Sequence, residues 1–399
     1  QYLGHLDRDF INISIIKKLF PDRNDITNKV IKKLKNLSII SVIVNSKQNA
    51  GIKIHQHIQE EIKELSSQYS NNAINKDTLQ YNLLSVLNSM LPSVNHTHNK
   101  DWTIYSDLLP HVLKNLELET SIVTTEMELL RAHVFYKLGK YYFSAAKVDF
   151  KKALLFADKA LKAYSKIYNN EKTKEIANAL ENIGLIYIYG FYSKFDEGLS
   201  LLKQSLKIKR SLYDIMNPEI SQLLREIGIV YLIDGYIDES LKYAIKVLEM
   251  RRAYYNTNNI YVAEALNDMA RCYYELGKYD KAKTYIIQSL KIYKDLKPEN
   301  SSDTLYGLHT LGTVLVKLNQ IQEGIRVLLV CEEIIKKYNM QQHYSASCIY
   351  YELAQAYLVI GNLQKAKMYV LMSLNIRQFL HKINGHANSL VQTLNLLGD

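Results

Sequence analysis

The chain has 399 residues, and its 50 Lys and Arg against 40 Asp and Glu give it a net charge of +10 at neutral pH. A basic balance can indicate binding to nucleic acid or membranes, but here Lys is spread along the whole sequence together with abundant Asn, Ile and Tyr. The sequence contains no run of about 18 apolar residues, so we expect no membrane-spanning segment and no membrane partner. We also do not expect nucleic acid as a partner. Three cysteines without CxxC spacing indicate a reducing compartment, and we predict a cytoplasmic protein.

Residues 1–65 are predicted to form a small domain that combines helices with a β-hairpin. A first helical pattern is followed by a second helix that begins at Asp25. The β-branched stretch Ile39–Val44, a polar turn and the β-prone stretch Ile52–Ile54 come next, which is typical of a hairpin. A closing helix, 56–65, completes the pattern of a winged helix. The second helix is rich in lysine, so it either enters a DNA groove or presents an ordinary solvated face, which is the commoner case.

Three short stretches of this domain resemble the winged-helix subdomain that follows the nucleotide-binding core of NB-ARC (STAND) ATPases. They are Leu6–Asp9, Leu34–Ile40 and Ile54–Gln59, with the sequences LDRD, LKNLSII and IHQHIQ. The last one resembles the family's M-H-D motif, so the resemblance implies that His55 senses the phosphates of ADP. The neighbours of this histidine replace the Met and Asp of that motif, and a histidine that caps the last helix of the domain is the alternative. By this resemblance ADP or ATP would bind only through an upstream domain, and we expect no cofactor in the chain itself.

Residues 66–125 are predicted to form a helical linker. A polar stretch leads to a helix at Thr78–Leu91. Two histidines lie near Asp101, but they lack further ligands at a defined spacing, so we predict no metal site. The segment Trp102–Val112 resembles the one that joins the winged helix to the repeats in multi-repeat STAND proteins. Its apolar residues are expected to cover the open end of the repeats.

From residue 126 to residue 399 the sequence repeats itself with a period of 42 residues. The recurring small residues are Gly228, Ala270, Gly312 and Ala354 in one series and Ser240, Ala282, Gly324 and Ala366 in another, and the turn residues are Gly235, Gly277, Asn319 and Gly361. Within one period, Leu266–Tyr273 and Ala282–Leu290 each have the apolar spacing of a helix, so the unit is an αα-hairpin. The small residues fall where the two helices must approach closely.

The repeat unit resembles a known family. The residues that match the tetratricopeptide repeat are Leu266, Ala270, Tyr273, Gly277, Tyr279 and Ala282, and the longer period is similar to the kinesin-light-chain variety. The predicted fold is therefore mainly α: an αα-hairpin solenoid of tetratricopeptide repeats, preceded by a small winged-helix domain with a β-hairpin. We expect about six repeats, the last one truncated, because Leu394–Asp399 repeats the start of a first helix. We expect both ends of the sequence to belong to a longer protein.

The sequence contains no recognisable catalytic or phosphate-binding motif. The patterns GxxxxGK[ST], GxSxG, HExxH, GxGxxG and the EF-hand loop are all absent, so we predict no enzymatic activity in this chain. In tetratricopeptide solenoids the first helices line a concave groove for peptides, and the resemblance implies which side chains face it. These are Glu181, Gln222, Arg225, Asn267, Arg271, Tyr274, His309, Lys317, Tyr351 and Gln355. The basic residues predict an acidic, partly extended protein or peptide partner, with the tyrosines supplying apolar contact.

The resulting hypothesis is a sensor region of a STAND-type signalling ATPase that binds a protein or peptide in the groove. The first alternative is a free-standing scaffold adaptor of the kinesin-light-chain sort, which would lack the upstream ATPase. The second is a winged-helix regulator that binds DNA, although its basic helix lacks the interleaved aromatic or amide side chains that read bases. The sequence upstream of residue 1 would separate these three hypotheses.

Overall fold

The computed structural model contains 15 α-helices and three β-strands within the residues that it describes. The described residues are 6, 11–19, 28, 31–32, 35, 40–44, 50–54, 76–92, 99–117, 124–144, 149–191, 194–296, 304–338, 340–341 and 344–384. The chain divides into two compact units, Gln1–Ala145 with Leu155–Glu171, and Ala146–Leu154 with Lys172–Asp399. The domain boundaries predicted at residues 65 and 125 stay predictions.

The first unit combines a three-stranded sheet with helices. Its elements are β1 (Ile11–Asn12), α1 (Ile13–Leu19), β2 (Ile40–Val44), β3 (Ala50–Ile54), α2 (Lys76–Met90), α3 (Asn99–Glu117), α4 (Thr125–Ser144) and most of α5 (Phe150–Ile167). The sheet is antiparallel with the order β1-β3-β2, and Ile52 of the central strand lies opposite Ile11 and Val42. The β-hairpin predicted from the β-branched residues is therefore present. His55 and the predicted closing helix, 56–65, lie outside the described residues.

Helix α2 is central to the packing of the first unit. It contacts α1, α3 and α4, and its Leu83 and Leu87 are fully buried, so the helix predicted in this stretch is confirmed. Lys137 of α4 caps the C-terminal end of α2, because its Nζ donates to the carbonyl oxygens of Asn88 at 2.7 Å and Leu91 at 2.9 Å. Those carbonyls have no partner within their own helix. Burial lowers the pKa of Lys137 from its ordinary value.

The second unit is a stack of helical hairpins. Its elements are α6 (Lys174–Gly190), α7 (Phe195–Leu212), α8 (Pro218–Ile233), α9 (Ile237–Tyr254), α10 (Ile260–Glu275), α11 (Tyr279–Leu296), α12 (Leu305–Lys317), α13 (Ile321–Lys337), α14 (Tyr344–Val359) and α15 (Leu363–Asn384). The first helices of the hairpins are α6, α8, α10, α12 and α14, and each packs against the helix that follows it. From α8 onward each first helix also contacts the next first helix, so these helices form one continuous layer. The predicted αα-hairpin solenoid is confirmed.

The repeated sequence sets where the first helices begin and end. Asn217 and Asn259 are N-caps that accept hydrogen bonds from the backbone N–H groups of Glu219 at 2.8 Å and Tyr261 at 2.9 Å. The turns after the first helices contain residues in the left-handed region, namely Gly235 at φ 82°, Gly277 at 69°, Asn319 at 63° and Gly361 at 75°. Asparagine tolerates this conformation better than most residues, so Asn319 replaces glycine without changing the turn.

Small residues lie where the two helices of a hairpin meet. A Cβ on Gly312 would lie 2.7 Å from Leu328 Cγ, and a Cβ on Gly324 would lie 2.9 Å from the carbonyl oxygen of Gly312. Real Cβ atoms do not approach other atoms this closely, so any larger residue would force α12 and α13 apart. The prediction that the recurring small positions mark a close helix approach is confirmed for this pair.

Candidate functional site

One position of the repeat has a different type of side chain in each successive first helix. Arg225 of α8, Asn267 of α10, His309 of α12 and Tyr351 of α14 are spaced 42 residues apart along the layer of contacting helices. Arg271 follows Asn267 by one helical turn and therefore lies on the same face of α10. None of these five residues is fully exposed. We call the surface that they define the first-helix surface.

Arg225 is already held by the chain. Its Nε donates to Asp268 Oδ2 at 2.5 Å and its Nη2 donates to Asp268 Oδ1 at 3.3 Å, which is the two-bond geometry of a strong arginine–carboxylate pair. Burial alone would lower the pKa of Arg225, but Asp268 and Glu264 more than offset it and raise the pKa above its ordinary value. Arg225 therefore joins α8 to α10 rather than presenting a free charge.

A second arginine, on a second helix, forms hydrogen bonds to residues of the first helices. Arg251 of α9 has only 1% of its surface exposed. Its Nη1 donates to the carbonyl oxygen of Tyr261 at 2.6 Å and to Glu264 at 3.1 Å, and its Nη2 donates to Gln222 at 2.7 Å. Gln222 in turn donates to Glu226 at 2.8 Å. Burial lowers the pKa of Arg251, against the opposing field of Glu264. This network connects three consecutive helices, α8, α9 and α10.

Arg251 is one of three basic residues that occupy the same repeat position on second helices, and we call these three residues the second-helix cations. Lys209 and Arg377 occupy the equivalent positions of α7 and α15, at multiples of 42 residues from Arg251. Lys209 Nζ donates to Glu181 at 2.7 Å, and the guanidinium carbon of Arg377 lies 5.0 Å from the centre of the Tyr351 ring. Each of these cations is buried among the residues of its own and the neighbouring hairpin.

The centre of the first-helix surface contains polar groups without partners. Asn267 Oδ1 and His309 Nε2 are shielded from solvent and have no hydrogen-bond partner among the described residues. Within the same part of the chain, Arg271 has neither a hydrogen-bond nor an ion-pair partner. Burial, reinforced by the charge of Arg271, lowers the pKa of His309 to about 4, so the imidazole is neutral at neutral pH. Burial raises the pKa of Tyr189, and the charge of Arg271 opposes this shift.

The C-terminal part of the surface combines tyrosines with a carboxyl group. Gln355 Nε2 donates to the Tyr351 hydroxyl at 3.1 Å. Burial raises the pKa of Glu352 to about 7, against the opposing fields of Lys317 and Arg377. Burial and the nearby Glu352 also raise the pKa of Tyr274 above its ordinary value. Both charged and neutral forms of Glu352 are therefore populated near neutral pH.

The predicted groove residues lie in different environments in the structure. Arg225, Arg271 and Lys317 are spaced 46 residues apart rather than 42, so each lies one turn further along its helix than the one before. Arg225 is occupied by an internal carboxylate, whereas Lys317 is exposed at the end of α12. Glu181 and Gln222 are engaged by the second-helix cations.

Sequence reasoning missed the second-helix cations and Glu352. The available signal was the recurrence of a basic residue at positions 209, 251 and 377, on helices whose other inward positions are apolar or small. Among the described residues there is no group of three or more His, Cys, Asp or Glu side chains that could hold a metal ion. The described helices also include none with both the length and the apolar character of a membrane span.

A family model described as tetratricopeptide repeat matches residues 219–295, the segment that contains α8 to α11. These residues are tetratricopeptide repeats. No curated protein is similar enough in sequence to count as a relative of the chain. Outside the match, helices α6, α7 and α12 to α15 form the same kind of helical hairpin as the matched repeats.

Several solved structures have a similar fold. A Rap protein complexed with competence and sporulation factor covers 96% of this chain and 98% of its own, with a TM-score of 0.52 and 14% identity. NprR in complex with its cognate peptide NprX covers 86% and 93%, with a TM-score of 0.52 and 16% identity. The apo form of RapI covers 93% and 99%, with a TM-score of 0.50 and 17% identity. At these identities the likeness shows the fold alone.

Proposed function

We propose that the second unit binds an extended peptide, or an extended segment of a protein, on the first-helix surface. The observation that carries this proposal is the set of unpartnered polar groups at the centre of the surface, Asn267 Oδ1, His309 Nε2 and the Arg271 guanidinium. A buried polar atom without a partner costs about 1–3 kcal/mol, and a peptide supplies both donors and acceptors along its backbone. Binding would recover this cost.

The structures of similar fold support this proposal by analogy. Two of them are, by their own descriptions, complexes with a sporulation factor and with a cognate peptide. Arg271 and Lys317 favour a ligand with negative charge, because both lack an ion-pair partner among the described residues. We do not assign the chain a catalytic role, since its sequence contains none of the catalytic motifs considered above.

We also propose, as the interpretation of the first unit, a winged helix that adjoins a nucleotide-binding domain of a STAND-type protein. The strand order β1-β3-β2 and the position of β3, which ends at Ile54 directly before His55, support this interpretation. In a longer protein that contains a nucleotide-binding domain, His55→Ala should increase the rate of ADP release. An unchanged ADP release rate would contradict the role of His55, and a longer protein without a nucleotide-binding domain would favour a free-standing adaptor.

The peptide-binding proposal can be tested with a displayed library of random peptides selected on the full chain. The affinity of each selected peptide is then measured by fluorescence anisotropy for Asn267→Ala and for a matched control, Gln288→Ala, whose amide is exposed on a second helix. We expect about a ten-fold loss of affinity for Asn267→Ala, the value of one or two hydrogen bonds, and no loss for the control. Failure to enrich any peptide, or equal losses in both variants, would refute the proposal.

A further inference from the structure

We propose that the edge of the second unit at which successive hairpins are joined is a second docking surface, which binds an acidic, amphipathic helix of a partner protein. This edge contains the ends of four second helices, α7, α9, α11 and α13. We call it the inter-hairpin edge and define it by its apolar column, Leu212, Tyr254, Leu296 and Tyr338. It shares no residue with the first-helix surface, so the inference goes beyond the proposed peptide-binding function and does not depend on it.

An apolar side chain recurs at the end of each of these helices with the period of the repeat. Leu212, Tyr254 and Leu296 are the last residues of α7, α9 and α11, and Tyr338 directly follows α13, so the four are 42 residues apart. The first three have 42%, 58% and 43% of their surface exposed, and Tyr338 is half-buried. A single exposed apolar residue is normal on a protein surface, but a set that recurs in four successive hairpins is typical of an interaction site.

The loops that join the hairpins extend this apolar surface. The loop between α7 and α8 exposes the side chains of Ile215 and Met216. Between α9 and α10 the rings of Tyr254 and Tyr255 are 5.0 Å apart, and the ring of Tyr255 stacks on that of the exposed Tyr261, also at 5.0 Å. Tyrosines that are held by one another lose little conformational freedom on binding, and tyrosine is enriched among the residues that dominate protein interfaces.

Two exposed apolar residues at the opposite edge of the stack do not recur in this way. Ile233 and Tyr236 lie at the turn within the hairpin α8–α9, and more than half of the surface of each is exposed. The equivalent residues of the next hairpin are Glu275 and Lys278. Apolar exposure at these two positions is therefore not repeated from one hairpin to the next, and the two residues supply a control surface of similar exposure.

A basic residue accompanies each member of the apolar column, two positions earlier in the sequence. These four residues form the basic column and are all exposed, namely Arg210, Arg252, Lys294 and Lys336. A cation in the last turn of a helix interacts favourably with the helix dipole, but this does not explain an exposed apolar neighbour. Lys336 pairs with Glu332 at 2.7 Å, whereas Arg210 and Arg252 have neither a hydrogen bond nor an ion pair within the described residues.

An acidic protein segment that also carries apolar side chains matches this combination. Asp295 is the one acidic residue in the sequence of the four last turns, so the charge of the edge is predominantly positive. Nucleic acid would pair its phosphates with the basic column and stack its bases on aromatic rings, but Leu212, Leu296 and the α7–α8 loop are aliphatic. The carboxylates of a protein partner would contact the basic column while its apolar side chains cover the apolar column.

The spacing of the hairpins sets the length of such a segment. Packed helices lie about 8–10 Å apart, and each hairpin contributes two helices, so successive members of the apolar column are about 16–20 Å apart. This distance corresponds to about 11–13 residues of an α-helix. A partner helix of about 30 residues can therefore contact three successive hairpins.

The docking surface can be tested with a displayed library of helical peptides of about 30 residues, with random outward positions, selected on the full chain. A parallel selection uses the chain with Leu212→Ser, Tyr254→Ser and Leu296→Ser combined. We expect clones that bind the wild type but not this variant, and we expect them to be rich in Asp, Glu and large apolar residues. For these clones Tyr254→Ser alone should lower the affinity about ten-fold in fluorescence anisotropy. The matched control is Tyr236→Ser, at 59% exposure, which should leave the affinity unchanged.

Arg252→Gln should lower the association rate constant about three-fold and weaken its dependence on salt, because exposed charges at an interface steer the encounter. Arg326→Gln, an exposed arginine on the outer part of α13, is the matched control and should change neither. The proposal is overturned if no clone depends on the triple substitution, if the dependent clones are not acidic, or if Tyr254→Ser and Tyr236→Ser cause equal losses. It is also overturned if a DNA duplex or phosphatidylserine vesicles bind the wild type more tightly than the selected peptides do and lose this binding in Arg252→Gln.

Discussion

Replacing Arg251 by methionine removes the least exposed cation among the described residues of the second unit while keeping an apolar side chain of comparable length. The variant loses the hydrogen bonds to Tyr261, Glu264 and Gln222. Removing one partner of a buried ion pair costs about 3–5 kcal/mol. Glu264 retains 29% side-chain exposure and lies 4.0 Å from Arg225 Nε, so water and a second cation compensate in part. We therefore expect the free energy of unfolding to fall by about 3 kcal/mol, the lower end of that range.

The assay is urea unfolding of the full chain followed by far-UV circular dichroism, with hydrogen exchange of the α8–α10 amides to localise the change. Lys242→Met is the matched control, because the Lys242–Glu239 pair is exposed on a second helix, and it should leave the unfolding midpoint unchanged. Combining Arg251→Met with Glu264→Gln should cost less than the sum of the single variants. A loss below about 1 kcal/mol for Arg251→Met, or no protection change in α8–α10, would refute the view that this network joins the three helices.

Two further predictions concern pH and packing. Burial raises the pKa of Glu352 to about 7 from its ordinary value of 4.5, so the folded state binds the proton more tightly than the unfolded state. The stabilising contribution of Glu352 is present below pH 4.5 and is lost as the pH rises through 7. Between pH 6 and pH 8 the free energy of unfolding of the wild type should therefore fall by about 1 kcal/mol more than that of Glu352→Gln, as measured by urea unfolding. Parallel pH profiles would contradict this assignment. Gly312→Val should lower the free energy of unfolding by about 1–3 kcal/mol, because the added Cβ would meet Leu328. The control Gln288→Val, on an exposed face, should not lower it. Equal melting temperatures of the two variants would show that the α12–α13 contact can relax.

The repeats could be predicted from sequence because their signals are local and recur. The left-handed turn at Asn319 was predictable even without glycine, since its spacing of 42 residues from Gly277 and Gly361 identifies it as a turn. The hairpin β2–β3 was predictable for a similar reason, because β-branched stretches flank a polar turn. In both cases the residues that determine the structure are close together in sequence or are related by one period.

The pairing of charges on the first-helix surface could not be predicted in the same way. The repeat register shows that Arg225 and Arg271 face the same layer, but it does not show that Asp268, 43 residues beyond Arg225, binds the first of them and leaves the second unpaired. Which carboxylate an arginine reaches depends on the crossing of two helices and on side-chain rotamers, and neither follows from periodicity. The second-helix cations were missed because a basic residue on a helix is usually placed in solvent.

The bond between Arg225 and Asp268 has a consequence for how the ligand preference of such a chain can change. Asp268 binds Arg225 as a carboxylate of a partner would. At one of the two arginines of the first-helix surface, Arg225 and Arg271, an internal carboxylate therefore competes with the ligand. A substitution that neutralised Asp268 would leave Arg225 with the more distant carboxylates of Glu226 at 3.9 Å and Glu264 at 4.0 Å, and would so loosen the hold on a second guanidinium one hairpin away from Arg271. The same scaffold would then be suited to ligands with two spaced acidic groups, and a new specificity could arise by losing an internal contact rather than by gaining a binding residue.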